Sequence, residues 1–161
     1  WRCAKERHGG SWRRLFLGKP RLRHDGVYVS RNTYVKPGVR EWDYNPPVHM
    51  VLYFRYLRFL PDGGFLYKTS PAKPRAVGKV LSSGRLARAD HTTYAGAAEF
   101  GGRRVRAVVR YGGRRPSSVH HWVRLRSTCP GANNRLDVDG IFMVDDGAEA
   151  PPPPTFARVV C

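Results

Sequence analysis

The stretch PRLRHDGVYVSRNTYVKPGVREWDYNPPVHMVLYFRYLRFLPDGGFLY (Pro20–Tyr67) decides the fold. Within it, Gly26–Arg31 and Tyr34–Lys36 are short runs of β-branched and aromatic residues, the types that fit a half-buried pleated surface. Val48–Leu60 is a continuous run rich in Val, Tyr and Phe. At about 3.3 Å per residue it spans about 43 Å, more than a usual strand. It must therefore bend, bulge or pass between two halves of a curled sheet. Pro61-Asp62-Gly63-Gly64 then reverses the chain, because Pro fixes φ and Gly supplies positive φ, and Phe65–Thr69 returns as the partner strand.

Downstream the β signals continue. His91–Phe100 reads as a strand, and Gly101-Gly102 turns it into Arg103–Tyr111. Val119–Thr128 and Arg135–Val144 are further strands, and Phe156–Val160 closes the chain. Pro71–Ala89 carries only weak signals, for a loop with a short helix or an irregular strand. About eight short strands with close turn signals argue for a mainly β barrel or sandwich. Closure places Phe156–Val160 near an early strand, since short strands otherwise leave unpaired edges. Upstream, Trp1–Leu17 is the one convincing helical stretch. Trp12, Leu15 and Phe16 make a single stripe, Ser11 caps it, and Gly18 and Pro20 end it.

The chain has 161 residues, enough for one domain with its own core. It opens on Trp1 rather than Met and so reads as a piece of a longer protein. WRCAKERHGG lacks the apolar region of a signal peptide. His49, Arg55 and Arg58 interrupt the longest apolar stretch, so no membrane span is predicted. Cys3, Cys129 and Cys161 are an odd, widely spaced set, which fits reduced thiols in an intracellular protein better than a disulfide framework. The net charge is +17, carried mainly by Arg, and would attract nucleic acid or acidic proteins.

Several motifs together resemble the C-terminal domain of the F-box only protein 9 family, with its plant and yeast relatives. They are SWRRLFL (Ser11–Leu17), PRLRHDGVYVSRNTY (Pro20–Tyr34), YFRYLRFLPDG (Tyr53–Gly63) and FARV (Phe156–Val159), while GANNRLDV (Gly131–Val138) looks most like the green-lineage members. Of barrel and sandwich, the resemblance implies the first: a mainly β, closed or nearly closed antiparallel barrel-like domain, non-catalytic, with a short N-terminal helix. It also implies a substrate receptor of an SCF-type ubiquitin ligase that positions a protein substrate, located in the cytoplasm or nucleus. An F-box would dock the Skp adaptor and the cullin scaffold. Residues 1–17 would be the trailing edge of that F-box with a linker helix, and residues 18–161 the cargo-side domain.

The residues themselves leave two other readings open. Val105, Ala107, Val109 and Tyr111 alternate with Arg104, Arg106 and Arg110, and Val123 and Leu125 alternate with Trp122, Arg124 and Arg126. Hairpin register keeps the apolar sets together and so gathers the five Arg and Trp122 on the outer face. That face either binds phosphate, with Trp122 stacking on a base, or is a solvated barrel exterior. Tyr28, Tyr34, Trp42, Tyr44, Tyr53, Phe54, Tyr56 and Phe59 either fill the core or line a cavity for an apolar small molecule. An inward Arg55 or Arg58 would need a carboxylate, and an outward one would not.

No cofactor, metal or catalytic set is predicted. Adjacent His120 and His121 point to opposite faces of a strand and cannot chelate together. Asp137-Val138-Asp139-Gly140 starts like a calcium loop, but Ile141 stands where a ligand is needed. No Cys pair has zinc spacing, and no nucleophile–base set is present. Gly131 and Asn133-Asn134 read as a turn, since Asn tolerates the left-handed region.

Overall fold

The computed structural model describes residue 5 and residues 9–38, 48–82, 92–112 and 116–145. Seven antiparallel strands follow one another as neighbours, in the order β1 (Tyr28–Pro37), β2 (Val48–Phe59), β3 (Gly64–Ser70), β4 (Thr93–Gly101), β5 (Arg104–Tyr111), β6 (Ser117–Arg126) and β7 (Arg135–Asp145). They curl into a nearly closed barrel. Helices accompany it among the described residues, α1 (Trp12–Gly18) before β1 and α2 (Pro74–Ser82) between β3 and β4.

Register explains the core. Leu57 and Phe59 face the lumen with Phe65 and Tyr67, and Val105, Ala107 and Val109 face it with Val119 and Val123. The alternation appears in β5: Val105, Ala107 and Val109 are buried, Tyr111 is half-buried, and the arginines are exposed. Gly63 takes positive φ in the β2–β3 turn, where the Asp62 carboxylate also accepts the Gly64 N–H at 2.9 Å. Gly102 does the same between β4 and β5.

The predicted runs Gly26–Arg31 and Tyr34–Lys36 are one strand, β1, because Asn32 and Thr33 pair with Tyr53 and Leu52 without a break. The long β2 keeps its length by serving two partners. Phe54–Leu57 pair with both β1 and β3 and Arg58 and Phe59 with β3, whereas the first half pairs with β1 alone. That first half forms a two-stranded ribbon on which Val35, Val48 and Met50 share one exposed face.

α2 resolves the weak segment after Pro71 in favour of the short helix. Pro74 suits its first turn, where fixed φ helps and the missing N–H costs nothing. Val77 and Leu81 lie on one helical face and are buried against Tyr56 and Leu66, on the outside of β2 and β3. Each such burial stabilises the fold by about 1.5–3 kcal/mol. Arg58 points outward here and donates to the Leu81 carbonyl at the end of α2.

α1 begins as predicted, with the Ser11 Oγ accepting the Arg14 N–H at 3.3 Å. Its apolar stripe stays largely in solvent, with Trp12 56% and Phe16 57% exposed. The helix is tied to the β6–β7 connection by Arg21, which donates to the carbonyls of Phe16 and Gly131 at 3.1 and 3.3 Å. The expected turn at Gly131 and Asn133 is present, both with positive φ. The buried Asn133 ties it down through its own N–H to Ser127 Oγ at 2.9 Å and its amide to the Gly131 carbonyl at 3.1 Å. The predicted closing strand Phe156–Val160, Trp42 and Tyr44, and Cys3 and Cys161 lie outside the described residues. Cys129 is an exposed free thiol, and no described helix is long and apolar enough to cross a membrane.

Candidate functional site

The outer face of β5 and β6 gathers the basic residues as their alternation requires. Arg104 pairs with Arg124, Arg106 with Trp122, and Arg110 with Ser118. Arg104, Arg106 and Arg110 are exposed. The other members are engaged. Arg124 reaches Asp139 at 3.4 Å, and Arg126 reaches Asp137 at 3.0 Å. Asp137 stands opposite Arg124 in the register, and Asp139 lies at the register shift between Trp122 and Val123. Trp122 is not a free stacking platform, since it is 7% exposed. Its ring meets Phe142 edge-on with centroids 6.1 Å apart, and Arg106 stands 6.0 Å from its centroid. Strand β6 is buried on both faces along Val119–Val123, so alternation does not separate inside from outside there.

The second site is the lumen. A cavity of about 590 Å³ lies between β1 and β2 on one side and β6 and β7 on the other. Of the aromatics expected to line such a space, only Tyr28 does so among the described residues. Tyr56 and Phe54 instead belong to the outer cluster under α2, and Phe59 packs into the core with Phe65. The polar lining is more distinctive. Ser30 of β1 pairs with Arg55 of β2, and Arg55 pairs with Thr69 of β3, which places all three on the inward face. Arg55 donates to the Tyr53 Oη at 3.2 Å. Arg55 is thus the inward arginine and Arg58 the outward one, yet Arg55 makes no ion pair among the described residues.

His121 faces Arg55 across the cavity, on the inward side of β6 opposite Ala107 and Ile141. It is fully buried, and neither ring nitrogen has a hydrogen-bond partner. Its ring packs against Phe65 and Tyr67, with centroids 5.4 and 4.5 Å away. Burial holds its pKa down to about 4, and the Arg55 charge acts in the same direction. The carbonyls of Ala107 and Val119 oppose this weakly without a well-formed hydrogen bond. The imidazole is therefore neutral at pH 7. His120 points to the other face, beside Phe142, so the two histidines are separated as expected. No group of three or more metal-ligating side chains converges among the described residues.

Sequence reasoning finds the arginine face but not the Arg55–His121 pair. The signal for it is an arginine inside an apolar strand run, whose direction only the register reveals.

Comparison with known proteins agrees with this architecture's sequence signature. The family model described as the F-box only protein C-terminal region matches residues 1–157. F-box protein pof7 of Schizosaccharomyces pombe is 40% identical over 72 residues, covering 45% of this chain and 20% of the relative. F-box protein HRT3 of Saccharomyces cerevisiae is 34% identical over 93 residues, covering 56% of this chain and 27% of the relative. The chain thus matches only about a fifth to a quarter of the length of these relatives. No solved structure matches it. With the family model spanning nearly its whole length, the chain belongs to the family of F-box only protein C-terminal regions.

Proposed function

We propose that this chain is the cargo-side, non-catalytic module of an SCF-type E3 ubiquitin ligase, positioning a protein substrate for ubiquitination. The observation that carries this reading is the family match over residues 1–157, together with two relatives that are F-box proteins. In this reading residues 1–17 hold the trailing edge of an F-box and the linker helix, and residues 18–161 form the substrate-side domain. The Skp adaptor and the cullin scaffold are then partners of the F-box and not of the barrel. The exposed apolar face of the β1–β2 ribbon supports a protein-facing role, because apolar surface left in solvent marks contact sites.

The experiment separates the two halves of the proposal. The full-length protein is expected to capture the Skp adaptor, and deletion of its F-box to abolish capture. Ubiquitination of proteins bound to residues 18–161 is expected to disappear when those residues are removed from the full-length protein. Adaptor capture by residues 18–161 alone, or ubiquitination that survives their removal, refutes the assignment.

A second reading, non-specific contact with nucleic acid, rests on the exposed Arg104, Arg106 and Arg110 and the charge of +17. It is the weaker one, because Arg126 is ion-paired and Trp122 is buried.

A further inference from the structure

The lumen holds a cation that no carboxylate among the described residues neutralises. Arg55 is half-buried, turned inward beside Ser30 and Thr69, and among the described residues bonded to the Tyr53 hydroxyl, whose ring centroid lies 5.6 Å away. A charge taken out of water needs an opposite charge or several hydrogen bonds in return. Elsewhere the chain supplies them. Arg23 is paired with Asp25, and Arg126 and Arg135 share Asp137. Arg23 and Arg135 also line the cavity, so Arg55 is the arginine there that lacks a carboxylate among the described residues. Across from it, His121 keeps two buried ring nitrogens without partners. A half-buried cation without a described carboxylate and a fully buried imidazole without hydrogen-bond partners, both lining one cavity, point to a ligand that meets both. The volume of about 590 Å³ falls within the range of small-molecule sites.

We propose that this cavity binds a small organic acid, its carboxylate held by Arg55 and bonded to His121, its apolar body against Leu57, Val123, Val138 and Ile141. The guanidinium fork takes both oxygens of a carboxylate in parallel. One uncommitted arginine matches one negative charge, which argues against a phosphate-rich ligand. A peptide would bring an N–H and a C=O per residue, and the aliphatic wall satisfies neither. This inference goes beyond the ligase reading and does not depend on it.

Decanoate titrated calorimetrically into the 161-residue chain at physiological salt tests the proposal, with decanol as the uncharged probe. Decanoate is expected to bind tighter than decanol. Arg55→Met is expected to weaken decanoate by about tenfold or more, the usual worth of a charge-assisted hydrogen bond, while leaving decanol unchanged. Because an uncompensated inward charge is removed, Arg55→Met should melt no lower than the parent. Should Arg55→Met fail to fold, Val138→Trp serves instead. It fills the cavity mouth from a half-exposed position with Arg55 intact, and decanoate binding is expected to be lost. Arg104→Gln/Arg110→Gln controls for adsorption to the basic surface and should leave binding unchanged. Equal affinity for decanoate and decanol, full affinity in Arg55→Met, loss in the surface variant, or no binding at millimolar concentration overturns the proposal. So does preference for a short apolar peptide with a free terminal carboxylate, which would assign the site to a chain end. Adaptor capture by the full-length protein is read separately and is expected to be untouched by any of these variants.

Discussion

Gly96 stands directly opposite Val109 across β4 and β5, and the backbone of Val108 and Val109 occupies the space where a side chain on Gly96 would begin. Its φ is ordinary, so the requirement is closeness of approach and not backbone conformation. Gly96→Ala is expected to cost about 2–4 kcal/mol, because the obstructing atoms are main chain and cannot swing aside. Gly101→Ala, with open space at its Cβ, should stay within about 0.5 kcal/mol of the parent. Urea midpoints of the two variants check this, and equal midpoints would contradict the steric account.

The burial of Trp122 separates stability from binding. Trp122→Ala is expected to destabilise the domain by about 3–5 kcal/mol, the usual cost of emptying a large buried aromatic site. Trp122→Phe should fold and bind single-stranded DNA as the parent does. Replacing Arg104, Arg106 and Arg110 together by Gln should lower the salt slope of any duplex binding by about three, since each phosphate contact contributes roughly one. Fluorescence anisotropy across a salt series reads both. A large affinity loss in Trp122→Phe with the salt slope intact would restore base stacking as the mechanism.

His121 gives stability a dependence on acid. Its folded pKa is pushed down to about 4 from the ordinary 6.5, so the unfolded chain takes up a proton that the folded chain refuses. Stability should be level with respect to this group above pH 6.5 and should fall as pH drops from 6.5 towards 4. The full loss is on the order of 3 kcal/mol, since each tenfold change in proton affinity is worth about 1.4 kcal/mol. The facing charge is Arg55, and His120, whose pKa is also lowered by burial and by Arg106, adds in the same direction. Melting temperatures between pH 7 and pH 4.5 measure the slope, and His121→Phe should reduce it. An unchanged slope in that variant would move the effect elsewhere.

Leu81→Ala tests the packing of α2. With Leu81 fully buried against the outside of β2 and β3, the substitution should cost about 2–5 kcal/mol. Thermal unfolding decides this, and a change below about 1 kcal/mol would mean that α2 is dispensable to the barrel.

The residues state some of these features openly and conceal others. The β2–β3 turn, the β5 alternation, the Ser11 cap and the left-handed Asn133 are local, set by φ preferences and by the two-residue period of strands. They read correctly. α2 is ambiguous in the sequence because nine residues containing Gly78 give a weak helical signal, and its stability comes from tertiary contact with Tyr56 and Leu66. Trp122 reads as a solvent-facing ring and is not one, because β6 is covered on both sides, where a residue's face no longer reports its exposure. Asp137 and Asp139, read as the start of a failed calcium loop, serve as partners of Arg126 and Arg124, a pairing that the register of β6 and β7 decides. Arg55 is ambiguous because direction within a long apolar run depends on pairing, which lies outside the run itself.

The strand order has a bearing on how the chain is made. Each strand lies beside the one synthesised just before it, so no strand must be inserted between two that have already paired. A growing sheet of this kind can be laid down in the direction of translation, adding at one edge, with loop-closure costs kept short at every step. Only the final curl asks distant parts of the chain to meet. The hydrogen bond from Tyr28 Oη to the Asn133 carbonyl, at 2.7 Å, joins β1 to the turn that precedes β7. Until the ribosome has delivered that turn, β1 lacks this tie across the sheet.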